Sequence, residues 1–254
     1  MTTVTYEKRD AIGIVTLRKP PHNLMDAQML RDIADLFRTA VQDGCRCILL
    51  NSAMRHFCAG ADVAKFRDGW RGPDSDELRV LIDAIENIPI PTVAAVQGAA
   101  LGGGFELALW CDFIVAADTA VMGLPESSLG LIPLLGGVQR VVQRAGASRA
   151  KQITMLARRH DAKTFEKWGL VNVITSEAEI AEASLSFARQ LSVGPTVALR
   201  CIKTLAQGAV GEGVAAADRQ QIAINNLMWA SADAKSGIEA YLTTGPGTAA
   251  FAGR

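Results

Sequence analysis

The chain has 254 residues, 49% of them hydrophobic and 20% charged, which suffices for one large domain with a full core and a small appendage. Lys plus Arg and Asp plus Glu stand at 26 each, so the net charge is zero; with no long basic run, nothing marks a nucleic-acid surface, although local basic residues could still hold a phosphorylated small molecule. The opening MTTVTYEKRD brings charge before any apolar region, unlike a signal peptide, and the longest uncharged run, Asn87 to Phe105, holds Pro89, Pro91 and four glycines, so it reads as core strand and loop rather than a membrane span.

In chain order, Val4 to Lys8 and Ile12 to Leu17 read as a hairpin joined near Arg9-Asp10. Lys19 to Asn23 is a loop. Asp26 to Gln42 carries Leu30, Ile33, Phe37 and Val41 on one stripe and predicts a helix. Cys47 to Leu50 is a short buried strand, and Asn51 to Asp62 a loop with a small-residue turn at Ala59-Gly60-Ala61. Phe66 to Asp76 is polar and glycine-containing, a mobile surface loop. Glu77 to Asn87 is a helix with Leu78, Leu81, Ile82 and Ile85 inward. Thr92 to Val96 is a strand, and Phe105 to Trp110 a helix. Phe113 to Ala116 and Ala120 to Met122 are strands, Gly137 to Arg144, Arg149 to Ala157 and Ala162 to Lys167 helices, and Val171 to Ile174 a strand. Everything after Ser176 is helical, broken at Gly194-Pro195, Gly211-Glu212-Gly213 and Ser236-Gly237. Strand–helix units early and helices late predict an α/β core over residues 1–195 and a helical region over 196–254.

The five cysteines fit no zinc spacing, and their odd count argues against a disulfide framework; they read as reduced thiols of a cytoplasmic protein. His22, His56 and His160 are scattered, which speaks against metal ligation.

The stretch Pro91 to Asp112 organises the rest. An apolar strand turns through Gly98 and Gly102-Gly103-Gly104 into a helix whose first turn carries Glu106. Backbone N–H groups and the positive end of the helix dipole meet there, and glycine lets another molecule approach closely. Such a place suits an oxygen that carries or develops negative charge. Two plainer readings stand beside this one: the glycines serve only the turn, and Glu106 only the dipole. A dinucleotide-binding loop ranks lower, because its glycines are spaced and sit near the start of a domain.

Several blocks together resemble the crotonase family, the enoyl-CoA hydratase/isomerase group. They are Phe57-Cys58-Ala59-Gly60-Ala61-Asp62-Val63, Ala95 to Asp112, Pro125-Glu126 with Gly130-Leu131-Ile132-Pro133 and Gly136-Gly137-Val138-Gln139-Arg140, and the closing Asp233 to Tyr241. Their order and spacing over most of the chain carry the resemblance. It implies a spiral of repeated β-β-α units followed by a C-terminal helical trimerisation region, with trimers commonly stacked into hexamers. It implies an acyl-CoA thioester substrate, with coenzyme A part of that substrate and no separate cofactor or metal. The N–H groups of Ala61 and Gly103 would form the oxyanion hole, and Glu106 and Glu126 the catalytic pair of a hydratase; isomerases of the family typically keep only the carboxylate at the Glu126 position. Ala59, Gly60, Asp62, Val63, Lys65, Gly102, Pro125 and Gly130 would contact the substrate.

The expected reaction is addition of water across C2=C3 of a trans-2-enoyl-CoA. Another crotonase reaction, or a non-catalytic acyl-CoA-binding scaffold, are the alternatives, and the two retained glutamates speak against the scaffold. Departures from the pattern are local. Leu134 and Leu135 stand where small residues are common and would reshape the acyl pocket. Ala64 stands where a lysine is often found, so Lys65 either reaches the CoA phosphates or is simply exposed. Thr243-Thr244-Gly245-Pro246 replaces a lysine-rich tail, and Pro20 to Leu24 fits the pattern poorly. Trp70 either lines the acyl pocket or caps its loop.

Overall fold

The computed structural model describes residues 2–254. Strands β1 (Val4–Arg9) and β2 (Ile12–Leu17) form the antiparallel hairpin, and Asp10 takes a positive φ of 53° at its turn. Helix α1 (Ala27–Gln42) starts at Asp26, whose carboxylate accepts the Met29 N–H at 2.9 Å. Then come β3 (Cys47–Ser52), α2 (Val63–Arg67), α3 (Ser75–Ile85), β4 (Thr92–Val96), β5 (Ala99–Leu101), α4 (Gly103–Trp110), β6 (Phe113–Ala117) and β7 (Val121–Gly123). A 3-10 turn (Glu126–Leu129) leads to α5 (Gly137–Met155), β8 (Arg159–Asp161), α6 (Ala162–Lys167), β9 (Val173–Thr175) and α7 (Ile180–Ser192). Three helices follow: α8 (Thr196–Gly211), α9 (Val214–Ala230) and α10 (Ala232–Thr244).

The strands make two sheets, a six-stranded one in the order β1-β2-β3-β4-β6-β9 and a three-stranded one in the order β5-β7-β8. Each winding of the chain gives one strand to each sheet and then a helix. Strand β4 lies in the large sheet and β5 in the small one before α4; β6 and β7 repeat the step beside them. The winding before begins with β3, touches the small sheet through the Cys58–Ala100 bridge, and ends in α2 and α3. This is the spiral of β-β-α units that the resemblance implied.

Alternation explains the large sheet. Ile48, Leu50, Ala94, Val96, Ile114 and Ala116 face one core, while Cys47, Leu49, Val93, Ala95 and Val115 face a second, roofed by Ile180, Leu185, Ala188 and Leu191 of α7. Because β4 is covered on both faces, its five residues are all buried and its sequence is a continuous apolar run. Helix α4 is buried at all eight positions, so it is apolar all round, and Glu106 is its one charged residue.

Most expected elements form, with differences that have local causes. Residues 63–67, read as loop or left unassigned, make α2 because Asp62 caps it, and Asp74 starts α3 two residues before Glu77 by accepting that residue's N–H at 2.8 Å. Strands β5 and β8 are three residues each, too short to show a period. The break expected at Ser236-Gly237 is absent. The chain breaks at Ser231, whose hydroxyl accepts the Ala234 N–H at 3.1 Å, and Gly237 sits mid-helix against the Phe251 ring. The two helices read over 137–157 are one element kinked at Gly146, whose φ is 81°. All five cysteines are free and buried. No helix among the described residues is long and apolar enough to cross a membrane.

Candidate active site

The glycine loop is shaped by two tight constraints. Gly102 has φ 52°, a left-handed value that favours glycine, and a side chain there would meet the Glu126 carboxylate at 2.8 Å. A Cβ on Gly104 would come within 2.8 Å of both the carbonyl carbon and the Cβ of Cys58, so this glycine lets α4 press on the preceding winding. The Gly102 N–H is committed to the Gly123 carbonyl at 2.9 Å, and the Gly102 carbonyl accepts from Phe105 and Glu106. Gly103 is the first helical residue, where the N–H has no partner within the helix. With Gly104, whose N–H likewise has no backbone partner, it is a free donor of the loop.

Ala61 supplies another. Met25 donates to the Gly60 carbonyl at 2.9 Å, and Asp62 donates to the Met25 carbonyl at 2.8 Å. In this parallel bridge the residues flanking Ala61 make the bonds, which turns the Ala61 N–H away from Met25. A Cβ built on Gly103 would lie 4.0 Å from the Ala61 nitrogen. The two residues thus border one small space.

Both glutamates border that space. Glu106 is only 1% exposed, and its Oε1 accepts the Leu135 N–H at 2.8 Å and the Gly137 N–H at 2.7 Å. Burial, reinforced by the charge of Glu126, pushes its carboxyl up to about 7 against the pull of those two amides and of Arg140. Glu126 opens the 3-10 turn, half-buried; burial raises its carboxyl too, and its Oε2 has no hydrogen-bond partner. The solvated surface role open to Glu126 on sequence alone does not describe it. Buried carboxyls with raised proton affinity in a cleft are suited to hold and move a proton.

The cavity they share measures about 270 Å³. Ala59, Gly60, Val63, Gly102 and Pro125 line it, together with Ala61, Gly103 and the two glutamates. Asp62, Lys65 and Gly130 do not. Asp62 caps α2 by accepting the Ala64 N–H at 3.2 Å, Lys65 is exposed on α2, and Gly130 closes the 3-10 turn with φ 71°. Trp70 lines the wall and stacks on Phe66 at 5.3 Å, so its loop forms part of the pocket. Leu134 and Leu135 reach the same wall, with Leu134 against Gly72. Sequence reasoning missed Met25, Leu101 and Arg159, which also line the cavity. Met25 had a signal in the Asp26 cap beside it; β8, which carries Arg159, had none.

Among the described residues no group of three or more His, Cys, Asp or Glu is placed to hold a metal ion. Burial pushes Cys58 and Cys111 up to about 12, so these thiols stay protonated and are poor nucleophiles.

A spiral of β-β-α units thus brings Ala61, Gly103, the buried Glu106 and the half-buried Glu126 to one largely apolar cavity. The family model described as Enoyl-CoA hydratase/isomerase matches residues 7–249, and the chain belongs to that family, the crotonases. Relatives include "Probable enoyl-CoA hydratase 2, mitochondrial" of Arabidopsis thaliana, 35% identical over 79% of this chain and 67% of that protein. "Probable enoyl-CoA hydratase" of Bacillus subtilis (strain 168) is 30% identical over 95% of this chain and 96% of that one. A crystal structure of an enoyl-CoA hydratase subunit I from Geobacillus kaustophilus HTA426 superposes with a TM-score of 0.92 at 32% identity, covering 100% of this chain and 99% of that one.

Proposed function

We propose that this protein hydrates trans-2-enoyl-CoA thioesters to 3-hydroxyacyl-CoA, as a cytoplasmic enzyme of acyl-CoA breakdown, with coenzyme A carried in by the substrate and no further cofactor or metal. The observation that supports this reading most is the retention of two carboxyls, Glu106 and Glu126, on one cavity beside the Ala61 and Gly103 amides.

The thioester oxygen lies between those two amides. The water oxygen bonds to C3, the C2=C3 π electrons shift towards C2, and the charge that builds on the thioester oxygen is held by the amides. Glu106, fixed by the Leu135 and Gly137 amides, takes a proton from the water, and Glu126 gives one to C2. One proton from the water and one from the pair balance, so the pair ends with the single proton it started with. Reaction therefore starts from the state in which Glu126 carries the proton and Glu106 is ionised. The thioester itself acidifies C2.

Double-bond isomerisation is the second reading, favoured by the unpartnered Oε2 of Glu126, a carboxyl free to shuttle a proton alone. The test is a panel of 2-enoyl-CoA substrates, short, long and aromatic, followed by loss of the conjugated-thioester absorbance. Rapid loss with a 3-hydroxyacyl-CoA product supports hydration. Absence of any loss across the panel contradicts it.

A further inference from the structure

We propose that Arg159 adapts the cavity to acyl chains ending in a carboxylate, so that the substrate class is the CoA monothioesters of short unsaturated dicarboxylic acids. This rests on the hydratase reading and narrows it.

The cavity is lined by three charged residues, Glu106, Glu126 and Arg159. Arg159 takes part in no ion pair or side-chain hydrogen bond among the described residues. Its charged and titratable neighbours are committed elsewhere or share its sign. Asp161 accepts the Thr164 N–H at 2.7 Å, His160 packs on Phe165 and Trp168, and Arg158 is a second cation.

Position in the small sheet sets the reach. Leu101, Gly123 and Arg159 lie side by side across β5, β7 and β8 in register. At about 4.8 Å per strand, Arg159 stands about 10 Å from Leu101, and Leu101 is two residues before the Gly103 donor. Arg159, exposed on β8, lines the same cavity as Glu126. In the proposed pose a short acyl chain runs past Glu126 and ends beside the guanidinium.

The energetics favour an anion there. An alkyl chain would strip water from an unpaired cation and return nothing. A carboxylate offers the planar two-point bond that guanidinium fits. Without Arg159, the two glutamates would repel such a chain.

The test measures binding and turnover together. Calorimetry with the saturated pair glutaryl-CoA and butyryl-CoA, which differ by the terminal carboxylate, reads affinity without chemistry. Wild type is expected to prefer glutaryl-CoA about tenfold or more, Arg159→Gln to lose the preference, and Arg159→Lys to keep part of it. The ratio of kcat/KM on glutaconyl-CoA to that on crotonyl-CoA should fall in parallel, by about tenfold in Arg159→Gln. An equal loss on both members of each pair would make Arg159 a contact of the CoA portion and overturn the proposal. Unchanged ratios, or a wild type that favours butyryl-CoA, would overturn it as well. A wild type that binds with the expected preference yet hydrates neither enoyl substrate would contradict hydration while leaving the carboxylate site standing.

Discussion

Glu106 is a carboxyl whose fold and chemistry make opposing demands, and pH separates them. Burial and the Glu126 charge raise its folded value to about 7, above the ordinary 4.5. The folded state then binds more protons than the unfolded chain between those values, so this contribution to stability is complete below about pH 4.5 and is lost as pH rises through about 7. At ~1.4 kcal/mol for each tenfold in proton affinity, the loss is about 3 kcal/mol. Glu106→Gln keeps an oxygen for the Leu135 and Gly137 amides but carries no charge, so at pH 8 it should unfold at a higher temperature than wild type, with the gap closing at pH 4. Parallel melting curves across that range would contradict the burial argument. Activity should show the same titration: kcat/KM declines above about pH 7 as the pair loses its last proton, and Glu126→Gln, by removing a neighbouring negative charge, should lower the Glu106 titration seen by carboxyl NMR.

Gly103 offers a cleaner residue-scale test of the oxyanion hole. It is the first residue of α4, a position where proline is tolerated, and a Cβ there meets nothing closer than 3.7 Å. Gly103→Pro should therefore fold while lacking the donor, and lose on the order of 100-fold or more in kcat/KM. A folded variant with near-normal turnover would remove Gly103 from the site.

At the scale of elements, the places where the chain is legible are those where one force decides. Continuous apolar runs such as Thr92 to Val96 and the striped Asp26 to Gln42 declare a doubly covered strand and an amphipathic helix. Glycine blocks beside a buried acid mark the oxyanion loop and Glu106. What escaped reading depends on partners distant in sequence. Strand β8 exists because β7 lies beside it, α2 because Asp62 closes its first turn, and the continuity of α10 through Gly237 because Phe251 returns to pack there. Arg159 was invisible for the first of these reasons. The fit of α4 against the preceding winding yields a prediction: Gly104→Ala pushes a methyl into Cys58, and overpacking of this kind costs about 1–3 kcal/mol. The variant should melt several degrees below wild type; an unchanged melting temperature would mean the windings are looser than described.

At the scale of the whole molecule, α8 to α10 leave large apolar side chains in solvent. Ile202 is 62% exposed, Ile222 73%, Trp229 56% and Leu242 76%. Closed symmetric assembly is the usual way such surfaces are covered, and a trimer or a hexamer built from two trimers is expected. Sedimentation at micromolar concentration should show one of these, and a monomer would contradict the expectation. The tail after Gly245 turns back onto its own chain. Asp233, 1% exposed, accepts the Ala252 and Gly253 N–H groups at 2.7 and 2.8 Å, and Arg46 donates to the Phe251 carbonyl at 3.0 Å.

In the proposed hydration two carboxyls act on one water. Wild type, Glu106→Gln and Glu126→Gln, assayed in parallel on a 2-enoyl-CoA and a 3-enoyl-CoA, test it most directly. Each glutamine keeps the size of the side chain but cannot exchange a proton, so both variants should lose about 100- to 10,000-fold in hydration while binding acyl-CoA nearly as before. The double variant should be far less than additive, because groups acting as one unit fail together. A Glu106→Gln protein that hydrates at close to the wild-type rate, while Glu126→Gln alone abolishes migration of the 3-enoyl double bond, would contradict the two-carboxyl account and establish an isomerase in its place.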